Sequence, residues 1–228
     1  MVKDGCGIFG ILRKNKSPKI SAETALEGIE SVRYRGSNLG AGFSAFNLSA
    51  EPSQAKLKVF VRSKEDLLLI RKKLESLVPA LKVIRETIPE LDGREFQTYQ
   101  AVIQGEGELQ GIANELNELL SNEGVIRARV YCFARYQEVF KGVGFPEDVA
   151  ADTELKQSSP EADMWVAHTR QPTNSPGVFP IWSHPFAASE WAVAHNGDIS
   201  SFGANYQLLK SVGVKSLAGT DRDRKSVV

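Results

Sequence analysis

The groups in this chain that could do chemistry are a thiol near its start and a cluster of polar side chains in its last third. The thiol lies between glycines in Asp4-Gly5-Cys6-Gly7-Ile8-Phe9-Gly10, and the three histidines are His168, His184 and His195. Arg170, the pair Asn196-Gly197 and Asp221 lie in the same third. Zinc binding is disfavoured, because the histidines have neither an H-x-x-x-H spacing nor a nearby cysteine pair. A relay from Cys6, His168 or His195, and Asp221 stays open, since such triads are set by spatial arrangement and not by order along the chain. A third chemistry suits a cysteine so close to the N-terminus: an N-terminal nucleophile, whose general base is the free α-amine of its own residue. That amine has a pKa near ~8, close enough to neutrality to shuttle a proton. It requires Cys6 to be residue one of the mature chain, so Met1 to Gly5 must be removed, and Gly5 offers little steric hindrance before that bond. A small, inert core thiol is the plain alternative.

The elements that must position these groups follow from hydropathy and turn residues. A first strand runs from Cys6 to about Leu12. Ala22, Ala25, Leu26, Ile29 and Val32 have helical spacing behind Ser21 as N-cap, with Glu23 in the first turn. Tyr34-Arg35-Gly36-Ser37-Asn38-Leu39-Gly40 is a glycine-rich turn leading to a small-residue strand, Ala41-Gly42-Phe43-Ser44-Ala45-Phe46, whose backbone another layer or a ligand could approach closely. The middle, residues 51–162, reads as a strand over Lys56 to Val61, an amphipathic helix over Lys64 to Leu77 ended by Pro79, a strand over Phe96 to Gln104, a helix over Leu109 to Leu120 and a strand over Val125 to Phe133. Gly142 to Asp148 reads as loop and Ala151 to Asp163 as a polar connector. Met164 to Arg170 predicts a buried strand ending in histidine and arginine, and Trp191 to Ile199 a second buried strand ending in an Asn-Gly turn. A helix from about Phe202 to Leu209 follows.

At 228 residues the chain fits one large domain with a sizeable core. Its formal net charge is zero, which gives no reason to expect a nucleic acid or an anionic membrane as partner. Two distant cysteines, Cys6 and Cys132, and no secretory segment point to a reducing, cytoplasmic setting. Apolar runs such as Val125 to Phe133 are too short to span a membrane.

Cys6-Gly7-Ile8-Phe9-Gly10, Tyr34-Arg35-Gly36 with its small-residue strand, His168-Thr169-Arg170, His195-Asn196-Gly197 and Gly219-Thr220-Asp221 stand in the order and approximate spacing of the class II glutamine amidotransferases. The chain resembles that family, the cysteine branch of the N-terminal nucleophile hydrolases, over almost its whole length. Residues 142–150 and the phrase His168-Thr169-Arg170-Gln171-Pro172-Thr173-Asn174-Ser175-Pro176-Gly177 are most similar to the glutamate synthase type. The resemblance implies an α+β fold, a four-layer α/β/β/α sandwich over residues 6–228 after a removed leader, with 51–162 a family-specific excursion. It implies that Cys6 attacks the side-chain amide of L-glutamine and that Asn196 and the Gly197 N–H form the oxyanion hole. Arg170 would clamp the substrate carboxylate and Asp221 its ammonium, with His195 and Thr169 as further substrate contacts and Arg35 as an organiser near Cys6, its contact left open.

No flavin, iron–sulfur or nucleotide-binding pattern accompanies these motifs. Gly105-Glu106-Gly107 is a turn, not a dinucleotide fingerprint, and two cysteines cannot supply a cluster. The resemblance therefore implies a glutaminase with no cofactor in this chain, passing ammonia to a synthase subunit that carries any flavin or iron–sulfur centre, with 2-oxoglutarate as acceptor. Homo-oligomerisation is left open. Two departures stand out. The family continues after its Thr-Asp with a small hydroxyl residue and a glutamate, where this chain has Arg222-Asp223. Family members also extend beyond the position of Val228, which implies a sandwich incomplete at the C-terminus, with an open edge and an uncovered apolar face. The rival expectation is a glutamine-binding or assembly module that keeps the pocket without turnover.

Overall fold

The computed structural model describes residues 5–48, 51–77, 80–91, 95–122, 125–153, 155–171, 179–197 and 200–212. The fold is α+β, built on two antiparallel four-stranded sheets with helices on one face of each. The first sheet has the order β1 (Gly7–Leu12), β8 (Met164–Thr169), β2 (Ala41–Phe46), β7 (Gln137–Gly142). The second has the order β4 (Leu81–Thr87), β5 (Gln97–Gly105), β3 (Gln54–Val61), β6 (Arg129–Ala134). No described helix is long and apolar enough to cross a membrane.

Alternation assigns the faces. In β2, Ala41, Phe43 and Ala45 join the core under α1 (Ala22–Glu30) and α4 (Pro146–Asp152), while Gly42 and Ser44 point the other way. Helix α1 forms as its pattern predicts: Ser21 caps it by accepting from the Thr24 N–H, and Ala22, Ala25 and Ile29 are buried one above the other. Trp165 of β8 is fully buried, and its indole Nε1 donates to the Ile20 carbonyl at 2.8 Å. Each large side chain enclosed in this way stabilises the fold by about 1.5–3 kcal/mol.

The stretch between residues 51 and 134 builds the whole second sheet, covered by α2 (Lys64–Glu75) and α3 (Leu109–Leu119). Ser63 caps α2 through the Asp66 N–H. The helix ends at Ser76, and Pro79 lies outside the described residues. The two sheets are joined by the short connection from β6 to β7 and by a third apolar cluster of Phe60, Tyr131, Cys132, Val139 and Ile181. Across the same joint Glu138 of β7 pairs with Lys56 and Lys58 of β3, and the Lys58 ammonium lies 3.7 Å from the centre of the Phe140 ring.

Several sequence expectations are corrected. Residues 142–148 are not all loop: Pro146 opens α4 at its first turn, and the Asp148 carboxylate accepts the Phe145 N–H at 2.9 Å. The polar connector contains a short helix, α5 (Leu155–Ser158). Val125 to Phe133 is interrupted, with a two-residue strand at Val125–Ile126 before β6. The buried strand expected over Trp191 to Ile199 does not form at residues 191–197, and Asp198 and Ile199 lie outside the described residues. A short hairpin forms among the described residues, β9 (Phe186–Ala188) with β10 (Trp191–Val193), and Trp191 is 78% exposed. Ile8 and Leu12 on the outer strand β1, Val193, and Leu208 and Leu209 of α6 (Phe202–Ser211) are also exposed.

Candidate functional site

Antiparallel pairing of β1 with β8 puts Gly7 opposite Thr169 and Ile8 opposite His168, so the cysteine motif meets the His-Thr-Arg motif at one end of the first sheet. Close approach is made possible by glycine. A β-carbon at Gly7 would lie 2.9 Å from Thr169 Cγ2 and 3.0 Å from Val32 Cγ2, and one at Gly36 would lie 2.9 Å from Thr169 Cβ. Thr169 is fully buried, its Oγ1 has no hydrogen-bond partner among the described residues, and its side chain packs beneath two glycines.

Cys6 stands where four segments converge. Its backbone N–H donates to Asn196 Oδ1 at 3.0 Å, across 190 residues of sequence. Its sulfur accepts the Gln171 N–H at 3.2 Å and lies 3.7 Å from the Gln171 carbonyl. The contact left open for Arg35 is with the Cys6 carbonyl, to which its Nε donates at 3.2 Å. Gly5, before Cys6, has a φ of +123°, and a β-carbon there would lie 2.9 Å from Asn196 Oδ1. Another residue at this position would strain the backbone and push Asn196 away. Gly197 is required for a different reason: its φ is +147°, though a side chain would meet the His195 ring only at an ordinary 3.5 Å.

Arg170 follows directly on β8 and is buried. Its N–H donates to the Gly40 carbonyl at 2.8 Å, and its own carbonyl accepts from the Ser37 N–H at 2.8 Å and Oγ at 3.0 Å. The glycine-rich turn thus fixes the arginine. His195 contributes its carbonyl, which lies 3.1 Å from His168 Nε2, while its residue as a whole is exposed. Asp221 lies outside the described residues.

The site has a second layer. His168 Nε2 is also 3.2 Å from His184 Nδ1, and the two rings meet edge to face with centres 4.6 Å apart. A proton on His168 Nε2 lets that ring donate to the His195 carbonyl, with His184 Nδ1 beside the same atom. Burial, the partner imidazole and the Arg170 charge push His168 down to about 3. Burial and the Lys141 ammonium push His184 down to about 4. Both are neutral at physiological pH. Among the described residues no group of three or more His, Cys, Asp or Glu side chains is arranged to hold a metal ion. Cys132, the other thiol, is buried in the joint between the sheets, and burial pushes it up to about 11.

Gln171 and Lys141 had no signal in the sequence. Gln171 acts through its backbone N–H, which every residue but proline has, and the Lys141 partners are carbonyls of the 181–185 loop.

The molecule is thus an α+β protein in which a cysteine near the N-terminus, an Asn-Gly turn and a buried arginine gather at one sheet end. No family model matches the chain. It is similar to an uncharacterized protein of Archaeoglobus fulgidus, 29% identical over 245 aligned positions that take in 96% of this chain. The chain spans 60% of that relative's length.

Proposed function

We propose that this chain is the glutaminase domain of a class II glutamine amidotransferase, of the glutamate synthase type. One observation carries the reading: the residue predicted to be the nucleophile and the residue predicted to build its oxyanion hole are joined by the 3.0 Å bond from the Cys6 nitrogen to Asn196 Oδ1. With its oxygen on that nitrogen, the Asn196 amide keeps Nδ2 as a donor for an oxyanion, beside the Gly197 N–H. The helices on one face of each sheet, and the apolar cluster shared by both sheets, support the α/β/β/α layering of N-terminal nucleophile hydrolases.

Once the bond between Gly5 and Cys6 is broken, the Cys6 nitrogen becomes an α-amine that takes the thiol proton. The sulfur adds to the side-chain amide carbon of glutamine, forming a C–S bond while negative charge moves onto oxygen. The C–N bond then breaks, the amine's proton leaves with ammonia, and a γ-glutamyl thioester remains. Water attacks the thioester, releasing glutamate and restoring the thiol. Arg170 would hold the α-carboxylate in a planar, paired contact, for which a lysine ammonium is a poor substitute. The ammonia would pass to a synthase subunit.

The test is ammonia release from L-glutamine by the mature chain. Turnover abolished by Cys6→Ala, with KM raised about tenfold or more by Arg170→Lys while the melting temperature holds, supports the reading. A folded wild-type protein that begins at Cys6 and releases no ammonia contradicts it. The loss of one charge-assisted pair, worth about 1.5–3 kcal/mol, sets the size of the arginine effect.

A further inference from the structure

Lys141 is a charged side chain that the proposed chemistry does not use, and it is almost completely enclosed. It belongs to β7 and faces away from the helices, on the side of the sheet that also carries Gly42 and His168. Its Nζ donates to the Ser183 carbonyl at 3.0 Å, the Ile181 carbonyl at 3.3 Å and the Pro185 carbonyl at 3.5 Å. The ammonium also lies 4.8 Å from the centre of the Phe186 ring and 5.7 Å from that of Tyr131. One cation therefore gathers three alternate carbonyls of a single loop, and the residue between two of them is His184.

The loop is seated as well as held. Ser183 is fully buried, and its Oγ donates to the Gly142 carbonyl at 2.9 Å. A β-carbon at Gly42 would overlap the His184 carbonyl, and one at Gly40 would overlap Ser183 Oγ. The small-residue strand thus leaves room for this loop. From His184 contacts run without a break to His168 Nε2, to the His195 carbonyl, and through the next residue, Asn196, to the Cys6 nitrogen.

We propose that Lys141 is the positioning residue of the site: by drawing the carbonyls of Ile181, Ser183 and Pro185 together it sets His184 against His168, and so fixes the backbone that delivers Asn196 to Cys6. The consequence for turnover rests on the glutaminase reading; the consequence for the histidine pair does not. The charged and titratable groups facing Lys141 among the described residues are Arg129, Tyr131 and Cys132 of β6 and His184 of the loop. Burial and the Arg129 guanidinium push Lys141 down to about 7, and the three carbonyls and two ring faces oppose them by favouring the ammonium. A lysine so placed changes charge near neutrality, and its loop should respond.

The experiment is nitrogen and carbon NMR of the imidazole rings and of the Lys141 εCH2 as pH is raised from 6 to 9, together with ammonia release. In the wild-type chain the His184 ring resonances are expected to move with the same midpoint as Lys141. In Lys141→Met the His184 pKa is expected to rise, because the cation that depresses it is gone, and kcat is expected to fall by roughly a hundredfold with KM nearly unchanged, as for an ångström-scale misplacement. A His184 signal indifferent to the Lys141 titration, or a folded Lys141→Met chain with an unchanged His184 pKa, would overturn the proposal. If the variant does not fold, the wild-type titration decides alone. A wild-type chain without turnover would refute the glutaminase reading and leave the two NMR outcomes to judge Lys141.

Discussion

Replacing Gly36 with alanine puts a methyl group into space that Thr169 already fills. The new β-carbon would lie 2.9 Å from both Thr169 Cβ and Cγ2, and closer still to Oγ1. Thr169 cannot swing aside, because it is fully buried in β8 and its Cγ2 also presses on Gly7. Relief must come from the backbone at Gly36, whose N–H is bonded to the Arg33 carbonyl at 3.0 Å, or from β8 itself. Overpacking of this kind costs about 1–3 kcal/mol. Thr169→Ala removes Oγ1 and Cγ2 and leaves only the β-carbon in the way, and because Oγ1 has no hydrogen-bond partner among the described residues it forfeits packing alone. Gly36→Ala should therefore be strongly destabilising in the wild-type chain and clearly less so beside Thr169→Ala, where one of the three close contacts remains. Urea unfolding of the four proteins of this double-mutant cycle should give a coupling energy of about 1–2 kcal/mol. Strict additivity would refute the claim that Gly36 is glycine because Thr169 lies beneath it. Since Arg35 holds the Cys6 carbonyl one residue away, Gly36→Ala should also depress turnover more than Thr169→Ala does.

His168 and His184 have folded pKa values of about 3 and about 4, below the 6.5 of a free imidazole, so their stabilising contribution is complete above about pH 6.5 and is lost as pH falls toward those values. At pH 5 the loss is about 2 kcal/mol per histidine. Urea unfolding at pH 7 and pH 5 should show a smaller difference in His184→Asn than in the wild-type chain, and equal differences would count against neutral, buried rings. Burial alone would raise the Glu138 carboxyl, but the Lys58 and Lys56 ammonium groups hold it low. Lys58→Met should thus cost about 3 kcal/mol, and pairing it with Glu138→Leu should recover most of that loss. A Lys58→Met protein as stable as wild type would show that the ion cluster does not tie the sheets together.

The parts of the fold legible in the sequence are those where apolar period and local caps agree. Helix α1 has both, from the spacing of Ala22, Ala25 and Ile29 and from Ser21, and β8 is apolar on both faces because both are covered. Strand β4 was invisible because a bulge between Val83 and Arg85 shifts its register and breaks the alternation. Strand β7 reads as polar because Gln137, Glu138 and Lys141 are buried through partners, Ser44, two lysines and loop carbonyls, that sequence spacing does not reveal. The Trp191 run misleads in the opposite sense, since its large apolar residues, Trp191 and Val193, are exposed. In the site, side chains with a motif, Cys6, Arg35 and Asn196, come together. What sequence could not supply is the backbone chemistry between them: the Gln171 N–H on sulfur, the Cys6 carbonyl on Arg35, and the loop carbonyls on Lys141.

Peptide mass measurement after treatment with an electrophilic glutamine analogue, 6-diazo-5-oxo-L-norleucine, tests the nucleophile most directly. The geometry around Cys6, against a Cys132 thiol that burial makes inert, predicts a single adduct on Cys6 at the head of a chain that has lost Met1 to Gly5, with excess L-glutamine protecting it. An unmodified Cys6 still joined to Gly5, or an adduct on Cys132 in its place, would contradict the account.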